Sequence, residues 1–295
     1  MLETTESMRE IMARPISRVP TLRGRTVVNM FYEASTRTRI SFELAGKNLS
    51  ADVVNVTASG SSIEKGESLV DTFQTIQALG ADLVVIRHSR AGAPDLAARH
   101  LDCSVVNAGD GLRGHPSQAL LDLYTVRRRL GDIEGLKIVI VGDILHSRVA
   151  RSDIWAFARM GAQVVLSGPP SLLPDDFTRL VNGDGVVRID YDLDRAVADA
   201  DVVMALRIQK ERMESGLLPN LREYARRWGL NSARLKRAKR DVLVMHPGPM
   251  NQGIEISPEI AYSDRSVIGE QVTNGVAVRM AILYLLLTGG GSVST

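Results

Sequence analysis

Short runs of β-branched residues alternate with segments of helical periodicity along almost the whole chain. The runs predict strands at Thr26–Phe31, Asp52–Thr57, Leu83–Ile86, Ser104–Val106, Lys137–Val141, Gln163–Ser167, Val186–Ile189, Asp201–Leu206 and Val242–Met245. Between them, apolar residues recur at helical spacing, as in Leu69, Phe73, Ile76 and Leu79, or Leu120, Leu123 and Val126. Such alternation implies parallel sheets flanked by helices, an α/β architecture. The last periodic segment, Val272–Leu287, reads as a long helix with Gly289–Gly291 past its end.

The length, 295 residues, is what two domains need at roughly 150 residues each. The pattern breaks at Arg127–Gly135, RRRLGDIEG. The expected division is therefore residues 1–130 and 131–271, with the terminal helix, 272–288, crossing back onto the first domain. Aromatics make up only 4% of the chain, so the cores must rest on Val, Leu, Ile, Ala and Met. The 36 basic and 34 acidic side chains nearly balance. That gives no reason to expect a nucleic-acid or membrane partner, and any anion site must come from local placement of arginines. The longest nearly apolar stretch, Gly275–Leu287, contains Arg279 and falls short of the about 20 residues that span a bilayer. The lone cysteine, Cys103, cannot form an intrachain disulfide and fits a reducing, cytoplasmic compartment.

In open α/β sheets ligands bind beyond the carboxyl ends of the strands, and those positions carry the unusual residues here. After Phe31 comes Glu33-Ala34-Ser35-Thr36-Arg37-Thr38-Arg39; a serine-rich loop leading to Lys65 follows Thr57; Arg87-His88 follow the third strand. Asn107–Gly111 and then His115-Pro116-Ser117-Gln118 follow the fourth, Gly142-Asp143 and Arg148 the fifth. Arg207 and Gln209 follow Leu206, and His246-Pro247-Gly248-Pro249 follow Met245. Ser35–Arg39 is the sharpest signal. Unpaired N–H groups at a helix start attract anions, hydroxyls add donors, and an Arg guanidinium can grip phosphate through two parallel bonds. A plain N-cap would not call for two arginines in a first turn whose dipole disfavours cations. There is no G-x-x-x-x-G-K-[ST] loop, no early G-x-G-x-x-G, no H-E-x-x-H and no G-x-S-x-G elbow. No metal and no cofactor are expected.

The chain resembles the aspartate/ornithine carbamoyltransferase family over nearly its whole length. FYEASTRTRISFE (31–43), EKGESLVDT (64–72), RH (87–88), NAGDGLRGHPSQALLDLYT (107–125), GDILHSRVARS (142–152), LRIQKER (206–212) and MHPGPMNQGIEI (245–256) stand in the family's order. Within it the chain looks like the aspartate branch. The ornithine branch carries His-Cys-Leu-Pro where His246-Pro247-Gly248-Pro249 stands here, and a Ser-Met-Gly loop that is not found. A dicarboxylate needs extra guanidinium groups, which Arg148 and Arg207 can supply.

The resemblance implies transfer of the carbamoyl group of carbamoyl phosphate to aspartate, an early step of pyrimidine biosynthesis. It implies that Ser35, Thr36, Arg37 and Thr38 bind phosphate, that Thr38, Arg87 and His115 surround the carbonyl oxygen, and that Gln118 lies near the carbamoyl nitrogen. His115 acts there as a hydrogen-bond donor, with the departing phosphate taking the proton. Arg148, Arg207 and Gln209 would hold aspartate, and Pro247 and Gly248 would offer carbonyls to its amine. Ser61 and Lys65 would come from the neighbouring subunit of a homotrimer with shared sites. Arg37, Thr38, Lys65, Arg87 and His115 form the catalytic set, and Arg39 supports the domain interface. Regulatory or dihydroorotase-like chains are candidate partners. Relative to the family the chain starts late in its first helix, around Thr4–Ala13, which bears on what covers the terminal helix.

Overall fold

Thr26–Phe31 (β1) is a β-branched run with five of its six residues buried, as expected of a strand covered on both faces. In the computed structural model, which describes residues 1–57, 67–181, 186–209 and 220–289, it lies inside a four-stranded parallel sheet of order β2-β1-β3-β4. Its partners are β2 (Asp52–Thr57), β3 (Leu83–His88) and β4 (Ser104–Asp110). The helices of this half are α1 (Leu2–Met12), α2 (Thr36–Asn48), α3 (Leu69–Ala78), α4 (Ala93–His100) and α5 (Pro116–Leu130). A second sheet, also parallel, has the order β7-β6-β5-β8-β9. It is built from β5 (Lys137–Val141), β6 (Gln163–Ser167), β7 (Val187–Ile189), β8 (Val202–Ala205) and β9 (Leu243–Met245). Its helices are α6 (Arg148–Arg159), α7 (Leu193–Ala196), α8 (Leu221–Trp228), α9 (Ser232–Leu235) and α10 (Pro258–Ala261), and α11 (Ile268–Leu287) closes the chain.

The chain forms two compact units, residues 1–124 with 272 onward, and 125–271. Both divisions fall inside helices, α5 and α11, whereas the sequence pattern puts the first break in the loop after α5. The last four turns of α11 belong to the first unit. Val276, Ala277, Met280, Ala281 and Leu283 share a core with Phe42, Ala45 and Leu49 of α2, Met8 of α1 and Val27 and Phe31 of β1. Each fully buried Leu, Val, Met or Phe among them contributes roughly 1.5–3 kcal/mol. Helix α1 covers α11 directly, and Arg9 donates to Asn274 Oδ1 at 2.8 Å. On the opposite face of the sheet, Phe73 and Ile76 of α3 and Ala93 and Ala97 of α4 pack on Val28, Met30, Val84 and Ile86.

In both sheets the chain order reverses between two neighbouring strands, β1 and β3 in one, β5 and β8 in the other. The same device pins each pair. Asp82, just before β3, accepts from Thr26 N–H at 2.8 Å and from Arg25 at 2.7 Å. Asp201, just before β8, accepts from Lys137 N–H at 2.9 Å and from Lys239 at 2.7 Å. The Thr26 N–H, aided by Arg25, holds the Asp82 carboxyl below the usual carboxylate range. A lowered folded-state pKa means that this stabilisation is complete above the unfolded value of about 3.9 and is lost as pH falls through the lower folded one. Asp82→Asn is expected to cost about 1 kcal/mol at pH 7, with the gap from wild type closing below about pH 4. Urea unfolding of both proteins across that range checks it; a pH-independent gap would count against the charge.

Candidate active site

The first unit presents its polar groups from the ends of three adjacent strands. β1 leads through Glu33 into α2, with Ser35 at the N-cap position. The Ser35 side chain makes no capping hydrogen bond, and the first turn of the helix contains no acidic residue. The N–H groups that a cap would satisfy therefore face an anion-ready site. Thr38 is buried and Arg37 exposed. On the neighbouring strand, Phe31 is in register with Arg87, and Tyr32 N–H donates to the Arg87 carbonyl at 2.9 Å. The Arg87 guanidinium donates to Glu33 at 3.2 Å and to the Ala108 carbonyl at 3.3 Å, so it is held at the mouth between β1, β3 and β4.

Arg87 and His88 belong to β3 itself, and Asn107–Asp110 to β4, where the pattern alone ends both strands earlier. The added pairing is His88 with Asp110, across an irregularity after Ile86. His88 Nδ1 then accepts from Arg90 N–H at 2.9 Å and the ring packs edge-on against Tyr32, which makes it a turn-forming residue. Burial first, and Arg90 next, push its imidazole pKa below the ordinary value. Burial also pushes the Tyr32 phenol up to about 12, with Glu67 adding to it. After β4, an Asp110–Gly114 bridge delivers His115 to the start of α5, where its carbonyl accepts from Gln118 and Ala119 N–H. His115 and Gln118 are both buried, and Gln118 Nε2 reaches Asp122 one turn on.

The second unit repeats the arrangement at β5, β8 and β9. Gly142, at φ +133, ends β5; a Cβ there would lie 2.9 Å from the Leu206 carbonyl oxygen, so only glycine lets the two strand ends approach this closely. Asp143 follows, fully buried. One of its oxygens accepts from His146 Nδ1 at 2.8 Å, the other from Gln209 N–H at 3.2 Å, so a carboxylate at the end of β5 orients the segment after β8. Arg148 opens α6, buried, behind the Ser147 cap. Arg207 and Gln209 are half-buried at the end of β8.

At β9, His246 is buried and anchors the turn. Its Nδ1 accepts from Gly248 N–H at 2.7 Å, its Nε2 lies 3.3 Å from Glu255, and its backbone N–H donates to Gln271. Gly248 has φ +64 and the Gly248–Pro249 peptide is cis. His246 thus shapes the backbone at Pro247 and Gly248.

All expected site residues in the described segments lie at the carboxyl ends of β1, β3 and β4 in one unit and β5, β8 and β9 in the other. Ser61 and Lys65 lie outside the described residues. The sequence reading left Glu33, Asp122 and Asp143 without roles. A polar residue directly after a strand flagged Glu33 and Asp143, and the four-residue spacing from Gln118 could have flagged Asp122. Among the described residues, no three His, Cys, Asp or Glu side chains gather as metal ligands would, and no helix is long and apolar enough to cross a membrane.

Two parallel sheets, each with polar and cationic groups at the strand ends beside its switch point, define a two-unit α/β protein with candidate anion sites, and the sequence comparisons say of which family. Residues 1–128 match the family model described as aspartate/ornithine carbamoyltransferase, carbamoyl-P binding domain, and residues 134–286 match its Asp/Orn binding domain; the chain belongs to the aspartate/ornithine carbamoyltransferase family. It is 64% identical over 287 residues to the aspartate carbamoyltransferase catalytic subunit of Roseiflexus castenholzii, covering 97% of this chain and 90% of the relative. The catalytic subunit from Chloroflexus aurantiacus is 64% identical over 285 residues, covering 96% of this chain and 92% of the relative.

Among solved structures, Trypanosoma cruzi aspartate transcarbamoylase in complex with carbamoyl phosphate superposes with a TM-score of 0.88 at 30% identity, over 97% of this chain and 90% of that one. Ornithine carbamoyltransferase from Pyrococcus furiosus scores 0.87 at 29% identity, over 99% and 93%. Backbone similarity therefore does not separate the two branches.

Proposed function

We propose that this chain transfers the carbamoyl group of carbamoyl phosphate to the amine of L-aspartate, giving N-carbamoyl-L-aspartate and phosphate at an early step of pyrimidine biosynthesis. The observation that carries the reading is the uncapped start of α2, Ser35-Thr36-Arg37-Thr38, next to Arg87 on the adjoining strand. It is joined by the placement of Arg148 and Arg207 at adjacent strand ends of the second unit. The relatives' names support the aspartate branch, as do two guanidinium groups where a dicarboxylate would need them.

Ser35, Thr36, Arg37 and Thr38 hold the phosphate. Thr38, Arg87 and His115 donate to the carbonyl oxygen, and Gln118 meets the carbamoyl nitrogen. Arg148, Arg207 and Gln209 bind the aspartate carboxylates, while the Pro247 and Gly248 carbonyls orient the amine. The amine nitrogen attacks the carbamoyl carbon and charge builds on the carbonyl oxygen. The bond from carbon to the phosphate oxygen then breaks, and the proton lost by the amine leaves with phosphate. Donors aimed at the oxygen before reaction supply most of the rate enhancement, and holding both reactants supplies much of the rest.

Ser61 and Lys65 complete the site from the neighbouring subunit of a cytoplasmic homotrimer. Regulatory or dihydroorotase-like chains are partners to test for by co-purification.

Purified protein supplied with carbamoyl phosphate, without added metal, is expected to carbamoylate aspartate and leave ornithine untouched. Citrulline as the product, or no product with either amino acid, would overturn the assignment.

A further inference from the structure

Gln118 and Asp122 sit one turn apart on α5, both buried. Gln118 Nε2 lies 3.2 and 3.1 Å from the two carboxylate oxygens of Asp122. An ionised carboxylate only accepts hydrogen bonds, whereas an amide has a donating and an accepting end. The reverse setting of the amide would place its oxygen against two carboxylate oxygens with no proton between them. The charge on Asp122 therefore selects one of two nearly isosteric orientations, with the NH2 toward Asp122 and the carbonyl oxygen turned away.

A carboxylate with no exposed surface stays ionised only beside a positive charge. Arg279 of α11, which packs near Leu121 of α5, interacts favourably with such a charge across the helix pair. The residue is buried, its guanidinium lies 5.1 Å from the centre of the Phe42 ring, and its Nε is buried with no hydrogen-bond partner. Gly275, one turn earlier, makes the room: a Cβ there would stand 2.5 Å from Arg279 Nη1 and 3.3 Å from the Leu121 side chain on α5. Burial brings the Arg279 guanidinium down to about 10, opposed by Asp122 and reinforced by Arg87 and Arg37, so it remains charged at neutral pH. This arginine is the charged break in the nearly apolar stretch Gly275–Leu287.

We propose that Asp122 is a positioning residue that, by accepting from the Gln118 Nε2 with both carboxylate oxygens, locks the Gln118 amide with its carbonyl oxygen outward, so that Gln118 accepts a hydrogen bond from the carbamoyl NH2. The inference rests on the carbamoyl-phosphate reading above and deepens it. The phosphate and the carbonyl oxygen are shared by every acyl phosphate; the NH2 alone marks the carbamoyl compound. A correctly set acceptor favours it, and an amide free to flip would offer a donor to a donor.

Acetyl phosphate is the probe, since it keeps phosphate and carbonyl and carries a methyl group in place of NH2. Affinities of the full-length enzyme for carbamoyl phosphate and acetyl phosphate would be measured in wild type, Asp122→Asn, Gln118→Met and the double variant. Asp122→Asn is expected to weaken carbamoyl phosphate about tenfold or more and to leave acetyl phosphate within about twofold. In the Gln118→Met background the same change should cost nothing further, because the two residues act as one unit. Equal weakening of both ligands, or wild-type discrimination in Asp122→Asn, would overturn the proposal. Should Asp122→Asn fail to fold, Gln118→Met decides whether the amide that Asp122 holds marks the carbamoyl group: it leaves Asp122 in place and must lose the discrimination, and retained discrimination would overturn the proposal. A wild type that neither turns over carbamoyl phosphate nor prefers it to acetyl phosphate would sink the underlying functional reading instead.

Discussion

Arg37→Ala is expected to lower kcat/KM for carbamoyl phosphate by about 10³-fold while the protein stays folded. The two effects separate because of where Arg37 sits. It is exposed in the first turn of α2, outside the apolar core, and a cation there opposes the helix dipole. Removing it relieves that opposition and opens no cavity in the core. What is lost is a guanidinium able to hold a phosphate oxygen as negative charge accumulates on the leaving group, next to backbone donors that Ser35 does not cap. Steady-state kinetics and thermal unfolding of the same sample test both halves. Inorganic phosphate should raise the Tm of wild type, as any ligand of the native state does, and raise that of Arg37→Ala far less. Normal turnover in a well-folded variant would remove Arg37 from the phosphate site.

Arg207→Ala is expected to act on the other substrate, raising KM for aspartate by about 10²-fold, as the loss of a charge-assisted bond to a carboxylate implies. KM for carbamoyl phosphate should stay near the wild-type value. Arg207 is half-buried at the end of β8, so truncation leaves no core cavity. Its segment is held by Gln209 N–H on Asp143, a bond that does not depend on the Arg207 side chain. Inhibition by succinate, which keeps both carboxylates and lacks the amine, should weaken in parallel with aspartate. Succinate inhibition as strong as in wild type would mean that Arg207 does not bind carboxylate.

The strands were legible because burial on both faces demands continuous β-branched runs, and such runs are local in sequence. All nine strands described lie on runs read from the pattern, with ends that shift where pairing rather than composition decides. β3 and β4 run on through Arg87-His88 and Asn107–Asp110 because each strand has the other to bond to. Ser35–Arg39 and His115–Gln118 were legible for a related reason, since a strand end followed by a helix start concentrates donors within a few residues. Asp122 looks like any polar position on an amphipathic helix until its contact with the Gln118 amide is seen. His246 stood out by its motif, yet its ring is spent on Gly248 and Glu255.

The sequence by itself determined the two α/β units, the strand-end loops that carry chemistry and the anion-binding character of the α2 start. Periodicity and helix-terminus electrostatics act over a few residues, and the chain states them locally. Only the tertiary structure decided which distant groups meet: Arg87 with Glu33, Gln209 with Asp143, and Arg9 of the first helix with Asn274 of the last. Strand order and the return of α11 to the first unit bring these partners together. Burial then makes each contact consequential, because a charge or amide removed from water must find its counterpart in whatever element the fold packs against it.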